Sequence, residues 1–295
     1  MRLDYRHLFM LAVLAATWGS SFILMKKALI YFSPAQLAAM RIFLAGFAML
    51  PIAIKNLGKV KLTRDEKIGI AVVALLGNTL PAFLFATAQM EVPSGISGVL
   101  NSMVPLFTLL LGGVFFRARI TLRQSLLMAM GFAGALLLVL GRSVLGAEAE
   151  FDISYALLIL LATICYSLST NTIHRYLRNV RALVITSYAF SAMLIPMLLV
   201  NWLAGTFDVL TTDFSRVIPG LIYIGILALV GTSAAVVLFN VLIKETNAVF
   251  ASTVTYLIPI VAVIWGWIDG EVFSVIQVVG FLVILGSVWS MRKRS

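Results

Sequence analysis

The chain has 295 residues, 61% hydrophobic and 12% charged, with a mean hydropathy of +1.05. Soluble domains carry about 25% charged and 45–50% apolar residues, so these proportions exclude a soluble globular enzyme, a disordered chain and a disulfide-stapled secreted domain. Long continuous apolar runs also exclude a transmembrane β-barrel, whose strands alternate over about ten residues, and the single Cys165 excludes an intramolecular disulfide.

In lipid every backbone polar group must pair within the protein, so the expectation is an all-α polytopic membrane protein. A span needs about 20 mostly apolar residues. Breaking the chain at its charge clusters gives ten, near residues 8–25, 34–54, 68–88, 93–116, 122–141, 153–173, 183–204, 217–240, 246–268 and 273–291. Residues 1–7 lead straight into the first, which reads as an uncleaved signal anchor. The connections are short and leave no soluble domain.

Ten spans put both termini on one face. Seventeen basic residues fall on that face, including Lys55, Lys59, Lys61, Arg64 and Lys67 in one loop and Arg175, Arg178 and Arg181 in another. Four fall on the other face (Lys26, Lys27, Arg142 and Arg216), together with eight of the twelve acids. Basic loops face the cytoplasm, so both termini are expected there. The formal charge of +10 therefore belongs to a membrane surface and implies no nucleic acid.

The chain also resembles itself. A shift of 154 residues brings Gly77 onto Gly231, Asn78 onto Thr232, Glu91 onto Glu245, Asn101 onto Thr255, Pro105 onto Pro259 and Gly112 onto Gly266. A shift of 148 brings Trp18 onto Tyr166 and Ser21 onto Ser169. Two halves of five spans, residues 1–146 and 147–295, must enter the membrane from opposite sides because five is odd. Inverted repeats of this kind are a transporter architecture.

The stretch Thr17-Trp18-Gly19-Ser20-Ser21-Phe22, with Arg41 after Pro34, resembles drug/metabolite transporters of the EamA type. So does the stretch from Lys244 through Ala251, Ser252, Pro259, Gly266 and Glu271 to Gly280 and Gly286. The first half matches at Pro105 and Gly112 and departs at Arg117, where the family usually carries an acid. The resemblance implies a ten-helix exporter of small metabolites, with amino acids the best-known cargo.

Polar residues inside spans face the bundle interior or a water-filled cavity. In the fourth span, Ser94, Gly98, Asn101, Pro105 and Thr108 share one helical stripe, which Ser252, Thr255 and Pro259 repeat in the ninth. The resulting substrate-site candidates are Trp18, Ser21, Asn78, Asn101, Tyr166, Ser169, Thr232, Ser252, Thr255 and Tyr256. They read either as ligands for a substrate's amino and carboxylate groups or as helix–helix packing. Pro105 and Pro259 read as hinges or as tolerated kinks. Arg41, a charge about seven residues into a span, reads as a carboxylate ligand or as a structural anchor needing an internal partner.

Gly95-Ile96-Ser97-Gly98 matches a short intramembrane-protease signature, but His7 and His174 lie at the far span ends, so no base reaches Ser97. The sequence offers no metal-ligand cluster, cofactor motif or Walker loop, and implies no ATPase subunit. All twelve acids sit at span ends or in loops, which favours facilitated export; coupling through Glu91 or Glu245 is the alternative. The expectation is a plasma-membrane exporter of small metabolites, its partners a small molecule and the bilayer, compatible with a monomer. Proton-coupled efflux of drugs or cationic compounds is the second reading, and an intramembrane enzyme or receptor a remote third.

Overall fold

A computed structural model describes residues 5–116, 121–144, 151–212, 214–246, 251 and 254–292. Among these residues there is no strand; all regular structure is helical. Helix α1 is Tyr5–Ala28, α2 is Pro34–Asn56, and α3 (Arg64–Ala74) runs through a π-helical segment into α4 (Leu80–Ala88). Then follow α5 (Ser94–Asn101), α6 (Val104–Phe116), α7 (Leu122–Val144), α8 (Ile153–Tyr176), α9 (Ala182–Ala192), α10 (Leu194–Leu203) and α11 (Thr206–Thr212). Helix α12 (Phe214–Ala228) runs through a second π-helical segment into α13 (Ala235–Glu245), and α14 (Val254–Ile268) and α15 (Val275–Arg292) complete the order.

Local chemistry sets several of these ends. Ser33 and Gln36 exchange side-chain and backbone hydrogen bonds in a capping box, with Pro34 in the first turn of α2. Thr63 and Glu66 form the same device at α3, and Asp152 accepts from the Ser154 N–H at α8. Each satisfies amide donors that a helix start leaves without partners.

Seven segments are long and apolar enough to cross a bilayer: Tyr5–Ala28, Pro34–Asn56, Arg64–Ala88, Ser94–Phe115, Ile153–Tyr176, Ala182–Leu203 and Phe214–Glu245. Large apolar side chains point outward along them, among them Phe47, Ile54, Ile195 and Trp202. In water such a surface would drive association; in lipid it is the matching solvent. The chain is therefore a polytopic membrane protein. The remaining expected spans coincide with α7, α14 and α15, which are also apolar helices.

Inside the bundle, α1 packs on α12, α13 and α14, while α8 packs on α3, α4, α5 and α6. Helix α2 packs on α9, α5 on α14 and α7 on α15. The interior is filled by Leu14, Leu37, Ile42, Leu100, Leu106, Ile159 and Phe190, all essentially inaccessible.

The Thr17–Phe22 stretch has a packing explanation. A Cβ on Gly19 would lie 2.5 Å from Val261 Cβ and 3.0 Å from the Ile258 carbonyl, so only glycine lets α1 and α14 approach so closely. Trp18 Nε1–H donates to the Gly231 carbonyl at 3.0 Å, and Ser20 Oγ accepts from Trp265 Nε1–H at 2.8 Å. Trp265 thus holds α14 to α1.

The polar stripe expected from Ser94 to Thr108 runs across an interruption of the helix. The helix breaks at Ser102–Met103, and Pro105 is the second residue of α6, where a missing N–H costs nothing. Pro105 therefore accompanies a break and does not kink a continuous helix. Pro259 does sit inside continuous α14, where it removes one backbone donor from the helix.

Gly19→Val is expected to lower stability by about 1–3 kcal/mol through overpacking against the Ile258 backbone, read as a lower Tm of the purified protein. Gly286→Ala, where the added Cβ meets open space, serves as the control and should not lower Tm, since alanine favours a helix interior over glycine.

Candidate functional site

The helices do not close completely on one another. A cavity of about 150 Å³ lies where α1, α2, α5, α8, α13 and both π-helical segments converge. Its walls are built from interruptions of regular helix. The π-helical segments span Leu75–Thr79 and Leu229–Ala234, positions related by the 154-residue shift. Asn78 Nδ2–H donates five residues back to the Val73 carbonyl at 2.9 Å. Thr232 Oγ–H likewise reaches the Leu227 carbonyl at 2.7 Å, and Ser233 Oγ–H the Ala228 carbonyl at 2.9 Å. These side chains satisfy backbone acceptors that the widened turn displaces.

Trp18, Ser21, Asn78, Asn101, Tyr166, Ser169, Thr232 and Thr255 all line this cavity. Ser252 and the side chain of Tyr256 lie outside the described residues. Pro105, Pro259, Glu91 and Glu245 are not in the wall. Glu91 is exposed, and Glu245 pairs with Arg6 at 3.1 Å and His7 at 3.5 Å.

Other polar residues hold helices together. Asn171 Nδ2 donates to the Thr108 and Ser167 carbonyls. Ser167 Oγ–H lies within hydrogen-bond reach of the Thr163 carbonyl of its own helix at 2.7 Å and of the Val104 carbonyl at the start of α6 at 2.9 Å. Trp18 commits its N–H to Gly231, so it presents only its ring to the cavity. That ring meets Phe239 edge-on at 5.1 Å. Tyr166 stacks on Phe85 at 6.0 Å, and Phe85 meets Phe22 edge-on at 5.7 Å.

Two polar groups stand out against this apolar and aromatic wall. Arg41 reaches the cavity from α2, and its Nε–H donates to Thr232 Oγ1 at 2.7 Å. Among the described residues no carboxylate lies within ion-pair distance of it. The internal partner expected for Arg41 is thus a neutral hydroxyl, which leaves the charge uncompensated. Asn101 ends α5 at the break, and its buried Oδ1 has no hydrogen-bond partner among the described residues. Phe22, Met25 and Phe239 also line the cavity; apolar residues in apolar helices carry no sequence mark that would have singled them out.

A charged clamp was not legible in advance. Lys26 and Lys27 in the last turn of α1 meet Asp269 and Glu271 in the α14–α15 turn. Lys26 Nζ lies 2.7 Å from Asp269 Oδ2 and 2.9 Å from Glu271 Oε1. Glu271 also accepts the Ser94 N–H at 2.8 Å, the Ser94 Oγ–H at 2.7 Å and the Gly95 N–H at 2.9 Å. Its carboxylate therefore caps the N-terminus of α5, where the helix dipole favours an anion. The seat is tight: a Cβ on Gly266 would come 2.5 Å from Glu271 Oε2, and one on Gly95 3.1 Å from it. Burial by itself would push the Glu271 carboxyl up, but the bonds from Lys26, Gly95 and Ser94 outweigh it and hold the group below its ordinary 4.5. For Asp269, burial is likewise outweighed by Lys26 and Lys27, which hold it below 3.8.

The profile of the EamA-like transporter family matches residues 6–140 and 153–292. The chain therefore belongs to this family; it is a multi-pass transporter of the plasma membrane and not an enzyme. It is 26% identical to the inner membrane transporter YedA of Escherichia coli (strain K12), over 92% of this chain and 85% of that one. It is 24% identical to a probable terminal-alkyne amino-acid exporter of Streptantibioticus cattleyicolor, over 97% of this chain and 93% of the relative. A solved crystal structure shares the fold with a TM-score of 0.64 at 14% identity, covering 98% of this chain and 97% of its own.

Both clamp carboxyls are held below their ordinary values, so folding favours their ionised forms. The clamp's contribution to stability is complete above pH 4.5 and is lost as pH falls through the lower folded values. Thermal unfolding between pH 7 and 3 should show this loss in the wild type. In the Asp269→Asn/Glu271→Gln protein the acid-sensitive part should be absent and Tm lower at neutral pH.

Proposed function

We propose that this transporter exports small zwitterionic metabolites, amino acids first among them, by alternating access at the central cavity. In this reading it spans the membrane ten times, with both termini cytoplasmic and two inverted five-helix repeats, residues 1–146 and 147–295.

The observation that carries the substrate class is the pairing of Arg41 and Asn101 in one small cavity. A cation at bilayer depth costs several kcal/mol, and Arg41 has no protein carboxylate among the described residues to offset it. A substrate carboxylate supplies the missing charge, with Thr232 orienting the guanidinium. Asn101 Oδ1 and the negative end of α5 face a substrate ammonium, and the Trp18, Tyr166 and Phe85 rings offer cation–π contacts. A cavity of about 150 Å³ suits a small metabolite better than a drug, whose sites run to roughly 300–1,000 Å³. A Streptantibioticus relative bears the name of an amino-acid exporter.

The inverted repeat is supported by pairs of contacts that exchange with one another. A Cβ on Gly77 would run into Ser169, and one on Gly231 would come 2.9 Å from Ser21 Oγ. Gly77 corresponds to Gly231, and Ser21 to Ser169, in the internal alignment. The packing of α1 on α12–α14 and of α8 on α3–α6 swaps in the same way, while the α2–α9, α5–α14 and α7–α15 pairs map onto themselves. The clamp at Lys26 and Glu271 serves as the outer gate, which must open to release substrate.

Among the described residues no carboxylate lines the cavity. This supports facilitated export and weighs against proton-coupled efflux of cationic compounds, since Glu91 and Glu245 lie elsewhere.

In proteoliposomes, flux of a transported amino acid should follow its own gradient and persist when the proton gradient is collapsed. Arg41→Gln removes a charge-assisted bond of about 1.5–3 kcal/mol, so affinity should fall roughly 10- to 150-fold. Asn101→Ala removes a neutral bond and should cost about 2- to 13-fold. Affinity of the folded protein unchanged in both variants would refute the site; a stability loss alone would mark both residues as packing.

A further inference from the structure

A second hollow is separate from the central cavity and shares none of its lining residues. It is a groove of about 450 Å³ between the end of α2, the length of α3 from Lys67 onward and the end of α9. Its wall is mostly aliphatic, with Leu50, Ile54, Ile70, Ala74 and Met193 along it beside Tyr188, and with Ala71 at an exposed position of the lining. Among the described residues, Lys67 is the one charged residue lining it. From Lys67 to Leu75 the groove follows α3 for about 12 Å at 1.5 Å per residue.

The charge around its mouth is lopsided. Lys55, Lys59, Lys61, Arg64 and Arg181 are all exposed at this end. Arg181 reaches across to Asn56 Oδ1 at 3.4 Å, tying the start of α9 to the end of α2. None of the four lysines (Lys55, Lys59, Lys61 and Lys67) makes an ion pair among the described residues. The acids nearby in sequence are Asp65 and Glu66, and Glu66 is engaged in the capping box with Thr63.

We infer that this groove binds an anionic glycerophospholipid, with one acyl chain along α3 and the phosphate at Lys67. The groove opens in the flank of segments that lipid must cover, so a hydrocarbon chain is its natural filling. Neutral lipid would fill the aliphatic part but leave the cationic rim without a counter-charge. A free anion would answer the rim but has no use for 12 Å of aliphatic wall. Basic pockets between spans at the membrane surface recognise acidic headgroups in this way, at about 1 kcal/mol per basic residue.

The test uses the full-length protein in neutral detergent, with native mass spectrometry and Tm as readouts. Phosphatidylglycerol is compared with phosphatidylcholine of the same chains and with soluble glycerol phosphate. Phosphatidylglycerol should bind tightest and raise Tm most. Lys67→Gln should weaken it about fivefold, the equivalent of one basic contact. Ala71→Trp, which fills the groove from an exposed position, should weaken both lipids. Equal binding of the two lipids would overturn the headgroup assignment. Phosphatidylglycerol binding unchanged in both variants would place the lipid elsewhere, and full competition by glycerol phosphate would reduce the site to an anion site. Each of these three results refutes the inference.

Discussion

A backbone amide or carbonyl in the bilayer interior has no water to turn to, and each interruption of a helix must be repaired by the protein itself. In this transporter the interruptions and their repairs define the cavity. Asn78 and Thr232 bond carbonyls five residues back in the two π-helical segments. Ser233 bonds the Ala228 carbonyl, also five residues back, in the second of these segments. The same side chains, or their neighbours, then form the cavity wall. Polar groups that repair the backbone and polar groups that meet substrate are therefore drawn from one small set, and Thr232 belongs to both through Arg41.

Charge is placed with similar economy. The interior holds Arg41 without a carboxylate among the described residues, whereas the clamp at the end of α1 gathers two lysines and two carboxylates around the α5 N-terminus. One arrangement leaves a charge to be answered by something that comes and goes; the other is complete in itself and ties three elements together. Glu271 is central to the second because it bonds backbone as well as side chains. Breaking it frees both the α14–α15 turn and the start of α5, the half-helix that ends at Asn101.

The packing of α1 shows why glycine and serine dominate a stretch that might be mistaken for a binding motif. Gly19 permits a close crossing with α14, Ser20 receives the Trp265 N–H, and Trp18 bonds the Gly231 carbonyl. Only Trp18 and Ser21 of this stretch also reach the cavity as predicted site residues. Small residues let the bundle close; aromatic faces and a few amides give the cavity its character.

The sequence alone determined the class of fold, because composition, long apolar runs and the placement of basic loops act locally and leave few solvents in which the chain can fold. It also singled out most of the described cavity polar residues, since a polar side chain within an apolar run is conspicuous and must face inward. Tertiary structure alone decided three things. The break at Ser102–Met103 turned Pro105 from a mid-helix kink into a helix start. The clamp joined Lys26 to Glu271 across 245 residues, a pairing that no spacing rule exposes because both ends look like ordinary loop charges. And Arg41 met Thr232, a hydroxyl rather than a carboxylate, because whether a charge inside the membrane is answered by the protein depends on which neighbours the packing brings to it.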